Sequence, residues 1–131
     1  MNRFNGFPRV VVVTGASAGV GRATVRAFAK RGCSIGLLAR GVAGLQATAR
    51  DVNALGGRAV ACAVDVADPE AVEEAAARIE REIGPIDVWV NDAMTSVFSP
   101  ISETSPEEIR RVHEVTYLGV VHGTLSALRR M

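Results

Sequence analysis

Eight residues in the first sixth of the chain could do chemistry: Thr14-Gly15-Ala16-Ser17-Ala18-Gly19-Val20-Gly21. Glycines at this density let a backbone turn tightly and approach another group closely. A helix that starts there points free N–H groups and the positive end of its dipole at whatever lies in front. That combination suits a pyrophosphate, so Gly15, Ser17, Ala18, Gly19, Val20 and Gly21 are candidate nucleotide-binding residues. A merely structural turn is the competing reading. The loop's place between a buried strand and an amphipathic helix favours the nucleotide.

A second candidate is Arg40, the only charged residue from Leu37 to Gly44. In dinucleotide-binding sheets, an acid at the end of the second strand binds a ribose 2′-hydroxyl, whereas a 2′-phosphate needs cationic donors and repels a carboxylate. Here Arg40 stands where the acid would be, and Ser17 could donate a second hydrogen bond, which favours NADP over NAD. The alternative is an arginine solvated at a strand end.

Other reactive types carry less. Cys33 and Cys62 have no metal-ligand or CxxC spacing and fall in apolar stretches, so they read as small buried hydrophobes and no metal site is expected. His113 and His122 are nine residues apart, about 900° around a regular helix and so on opposite faces. Solvated or interface roles suit both better than catalysis. Glu73-Glu74 and Glu107-Glu108 read as helix-surface charge, because neighbours on a helix face different directions.

These residues require a frame. Val10-Val11-Val12-Val13 is a continuous β-branched run, the pattern of a central parallel strand covered on both faces. Val20, Ala23, Thr24, Ala27 and Phe28 recur at helical spacing with Arg22, Arg26 and Lys30 opposite, and Gly32 ends that helix. The unit repeats: strand Ser34 to Ala39, helix Val42 to Leu55, strand Arg58 to Val66, helix Pro69 to Ile83, strand Asp87 to Asn91. Asp68-Pro69-Glu70 supplies an N-cap and a first-turn proline, and Ser105-Pro106-Glu107-Glu108 a capping box for a last helix. From Ile109 to Leu128 that helix carries apolar residues on more than one face and wants cover on two sides. Four β-α units in series give a parallel sheet with helices on both faces, an α/β doubly wound fold.

Composition narrows the partners. With 131 residues and a formal net charge of +1, one domain is expected and neither nucleic acid nor an anionic membrane is announced. No apolar run approaches the roughly 20 residues a membrane span needs, and a cytoplasmic location is expected. The chain holds one tyrosine, Tyr117, and one lysine, Lys30, in the wrong order and too far apart for any mechanism that needs Tyr followed closely by Lys.

The spacing of Thr14, Gly15, Gly19 and Gly21 resembles the TGxxxGxG signature of the short-chain dehydrogenase/reductase family. The resemblance covers roughly Arg9 to Met131 and implies a Rossmann-like fold corresponding to about the first half of a member, ending before a fifth strand. It implies that Asp65-Val66, at the end of the third strand, lies beside the adenine; a loop cap for the next helix is the other reading of Asp65. Asn91-Asp92-Ala93-Met94 keeps two residues of the family's Asn-Asn-Ala-Gly, which implies that Asn91 steadies the sheet and that Ala93 lies near the cofactor ribose. Thr116 stands where the family has an Asn three residues before a Gly. The Ser and TyrxxxLys of the family's active site have no counterpart, so no catalytic residue is assigned.

The implied function is NADP-dependent hydride transfer between a nicotinamide and a small carbonyl or alcohol substrate, with this chain as the cofactor-binding half of a homo-oligomer. The rival is a non-catalytic dinucleotide-binding sensor or scaffold. A third possibility, an S-adenosylmethionine-dependent transferase, would want an acid near Arg40.

Overall fold

The computed structural model describes residues 8–131. The elements run β1 (Val10–Thr14), α1 (Gly19–Ala29), β2 (Ser34–Ala39), α2 (Val42–Ala54), β3 (Ala59–Ala63), α3 (Pro69–Ile83), β4 (Val88–Val90), α4 (Pro106–Val112), a π-helical turn (His113–Leu118) and α5 (Gly119–Leu128). A 3-10 turn at Ile101–Glu103 lies in the loop before α4. The four strands are parallel in the order β3-β2-β1-β4.

All five residues of β1 are buried, as a strand flanked on both sides and covered on both faces must be. Alternation then divides the core. Val10 and Val12 join Val72, Ala76 and Ile79 of α3 and Val115 of the π turn, while Val11 and Val13 join Val25 of α1 and Leu45 and Val52 of α2. Ile79 is fully buried and lies against Gly36 of β2, so α3 approaches the sheet too closely for any side chain there. Cys33 and Cys62 are both buried free thiols, and burial pushes each up from the usual thiol range. Among the described residues, no helix is long and apolar enough to cross a membrane.

Three expectations are corrected. β3 ends at Ala63 rather than Val66, because β2 ends at Ala39 and leaves no partner beyond the Val64 N–H to Ala39 C=O bond. β4 covers Val88–Val90 rather than Asp87 to Asn91: its register spans only Val11 to Val13, and the Asp87 carboxylate instead accepts the N–H groups of Arg9 and Val10. The last helix is not regular. The π turn breaks the 100° count within it, although His113 is exposed while His122 turns inward to the Val66 carbonyl. It is also covered on one side only: Val115, Gly119, Gly123, Ser126 and Ala127 are buried, while Leu125 and Leu128 are exposed.

The caps follow the sequence. Asp68 accepts the N–H groups of Glu70 and Ala71, and Ser105 and Glu108 form both bonds of their capping box. Glu73, however, is no bare surface charge. Its carboxylate accepts the Ser126 hydroxyl at 2.8 Å and pairs with Arg130 at 2.6 Å and Arg129 at 3.2 Å, tying α3 to α5.

Candidate functional site

The glycine loop leaves the carboxyl end of β1, where an open parallel sheet binds its ligands. Gly15 has φ +67°, and a Cβ there would sit 2.9 Å from both the Ala93 nitrogen and the Asp92 carbonyl oxygen. Only glycine serves both demands. Gly21, in the first turn of α1, abuts the Gly15 carbonyl, and a Cβ there would also come within 2.9 Å of Asp92 Oδ2. The loop and the segment after β4 are therefore packed backbone to backbone.

Two hydroxyls hold that arrangement. Thr14 Oγ1 accepts the N–H groups of Asp92 and Ala93, both at 3.0 Å, and the buried Thr48 hydroxyl lies 3.0 Å from the Ala16 and Gly44 carbonyls. Thr48 carried no signal in the sequence; it looks like any threonine on the inner face of a helix. The N-terminus of α1 differs from those of α3 and α4. Its N-cap, Ala18, offers no side-chain bond and its first turn holds no acid, so the leading N–H groups lack any side-chain acceptor.

In front of that helix end is a cleft of about 470 Å³. Gly15, Ser17, Ala18, Gly19 and Val20 form one wall; Arg40, Asp65 and Val66 form the outer end; Ala93 closes the inner end. The cleft also takes in Leu38, Ala39, Gly41, Val64, Asp92, Met94 and Val115. Gly21 lies directly behind the wall. Asn91 is not on it: its Oδ1 accepts the Trp89 indole N–H at 2.9 Å, its Nδ2 donates to Thr124 Oγ1 at 3.2 Å, and it lies against Gly123, so it joins β4 to α5.

Charge is unevenly placed. Arg40 is exposed at the rim. Asp65 caps its own loop, with Oδ1 accepting the Ala67 N–H at 3.0 Å, and the residue also lines the cleft. Its Oδ2 pairs with Arg111 at 2.8 Å. Partial burial pushes the Asp65 carboxyl up, but the Ala67 N–H, Arg111 and the field of Arg40 outweigh it and hold the group below the usual carboxylate range. At the inner end, Asp92 lines the cleft where the family pattern has an Asn, and its Oδ2 lies against Gly21.

Thr116 sits in the π turn, accepts the Thr95 N–H at 3.1 Å and donates to the Thr95 carbonyl at 2.9 Å. Tyr117 is exposed and stacks on His113 with ring centroids 5.1 Å apart. His122 is half-buried, with Nδ1 2.8 Å from the Val66 carbonyl.

The family model for short chain dehydrogenase matches residues 9–131. An uncharacterised oxidoreductase of Methylorubrum extorquens is 34% identical over 124 residues, which cover 94% of this chain and 50% of that protein. An alcohol dehydrogenase from Thermococcus sibiricus, solved with 5-hydroxy-NADP, is similar at a TM-score of 0.87 and 34% identity, covering 93% of this chain and 52% of that one. L-Sorbose reductase from Gluconobacter frateurii, solved with NADPH and L-sorbose, gives 0.86 and 34%, with coverage of 94% and 47%. The chain spans about half the length of these relatives.

Proposed function

The chain belongs to the short-chain dehydrogenase family, and on that premise we propose that its cleft binds NADP, in a protein that moves hydride between the nicotinamide and a carbonyl or alcohol carbon. The observation that carries this reading is the meeting of the glycine loop, Arg40 and Asp65 around one cleft at the carboxyl ends of the strands. The residues present fit a dinucleotide. Gly15 and Gly21 leave room that a Cβ would fill, and the uncapped start of α1 suits a pyrophosphate.

The cofactor supplies the hydride chemistry when bound. This chain's residues bind and orient it. The loop N–H groups hold the phosphates, Arg40 and Ser17 take the 2′-phosphate, and Asp65 and Val66 face the adenine. Titration of nicotinamide fluorescence tests the assignment: NADPH should bind more tightly than NADH, and equal affinity would remove Arg40 from the site.

A second reading, a dinucleotide-binding module without catalysis, is favoured by one observation. The Thr116 hydroxyl, at the position of the family's Asn, is occupied on both its donor and acceptor sides by Thr95. A turnover assay separates the two readings.

A further inference from the structure

The last helix touches the outer end of the cleft at three places, all on one dipeptide. Arg111 Nη2 is 2.8 Å from Asp65 Oδ2, His122 Nδ1 is 2.8 Å from the Val66 carbonyl oxygen, and Gly119 packs so closely that a Cβ there would come within 2.5 Å of Val66 Cγ2. The π turn lies between Arg111 and Gly119 and sets the phase that lets both meet one short segment. A carbonyl only accepts, so His122 carries its proton on Nδ1 in this contact. With Oδ1 taken by the Ala67 N–H and Oδ2 by Arg111, the Asp65 carboxylate is fixed in orientation. Each oxygen keeps a further lone pair for an outside donor.

We propose that Arg111 and His122 are positioning residues that hold Asp65-Val66 as a rigid acceptor edge, through which the last helix sets the preference for an adenine ring over a purine lacking the 6-amino group. This rests on the dinucleotide reading of the cleft. The 6-amino group of adenine donates to a carboxylate, whereas the 6-oxo group of hypoxanthine opposes it lone pair to lone pair.

The test measures affinity of the full chain for NADPH and for its hypoxanthine analogue, in the parent and in Arg111→Met, Arg111→Lys and His122→Leu, with folding checked by thermal melting. The parent should prefer NADPH by about tenfold, the worth of one good hydrogen bond. Arg111→Met and His122→Leu should each cut that preference about three- to tenfold while changing the analogue's affinity less than about twofold. Arg111→Lys, which keeps the charge, should retain more of the preference than Arg111→Met. Equal weakening of both ligands, an unchanged preference, or failure of all three variants to fold would overturn the proposal, since each is what a merely structural role gives. A parent that binds both ligands without preference overturns it alone; a parent that binds neither overturns the dinucleotide reading with it.

Discussion

The Thr14 hydroxyl, at the end of β1, accepts the backbone N–H of Ala93, beyond the end of β4, at 3.0 Å, and it accepts the Asp92 N–H at the same distance. One buried side chain thus closes the inner end of the cleft by holding the segment on which Gly15 packs. Thr14→Val preserves shape and removes the acceptor, leaving two N–H groups without a partner. We expect a loss of about 1–3 kcal/mol in urea unfolding and weaker NADPH binding, while Thr14→Ser stays close to the parent.

Arg40→Asp places at the rim the acid that a 2′-hydroxyl would want and a 2′-phosphate would repel. NADPH affinity should fall by about tenfold or more, the worth of a charge-assisted hydrogen bond, and NADH should become the tighter ligand. The parent's preference should shrink as salt rises, because Arg40 is solvent-exposed and its field is screened. Titrations of both nucleotides at two ionic strengths check this.

Asp92 is the one acid at the inner end of the cleft, beside the loop assigned to the pyrophosphate. Asp92→Asn removes a negative charge while keeping size and leaving the backbone bond to Thr14 in place. Binding of both NADPH and NADH should tighten by about three- to tenfold at low salt. Unchanged or weaker affinity would show that the carboxylate faces away from the phosphates.

Glu73 docks α5 on α3, and its hydrogen bond to Arg130 outweighs partial burial, so its carboxyl titrates below the ordinary glutamate range. A depressed folded-state value means that the contribution is complete above the unfolded-state value and is lost as pH falls through the folded-state one. Stability should therefore drop below about pH 4, and Glu73→Gln should flatten that acid limb. Because the Glu73 side chain is 39% exposed, the expected cost of Glu73→Gln at neutral pH is only about 1 kcal/mol after solvent screening. Urea midpoints at pH 3.5, 5 and 7 measure both effects.

What the sequence made legible was local. The glycine loop, the caps at Asp68 and Ser105 and the alternating cover of β1 follow from residues within a few positions of one another. The contacts that finish the site join distant segments: Thr48 to Ala16, Arg111 to Asp65, His122 to Val66, Glu73 to Arg130. Thr48, Glu73, Arg111 and His122 each read in isolation as an ordinary helix position. The π turn was equally silent, because a periodicity count assumes 100° per residue and Val115, Thr116 and Tyr117 contain no proline or glycine to mark the change. The ends of β3 and β4 depended on how far β2 and β1 extend, a property of the partner strand rather than of the segment read.

The 131-residue chain should show no dehydrogenase turnover even where it binds NADPH. Hydride delivered to a carbonyl carbon leaves an oxyanion that must take a proton, and a well-placed acid contributes about 10²–10⁴ in rate. The residues best suited to that task are not at the cleft. Tyr117 is exposed and stacked on His113, and Lys30 stands at the far end of α1 from the glycine loop. Neither is within the cleft wall, and the Thr116 hydroxyl is taken up by Thr95. The measurement is loss of nicotinamide absorbance on incubation with NADPH and a panel of ketones, aldehydes and quinones. Turnover above the protein-free background that disappears in Tyr117→Phe or Thr116→Ala would place a working acid in this chain and overturn the expectation.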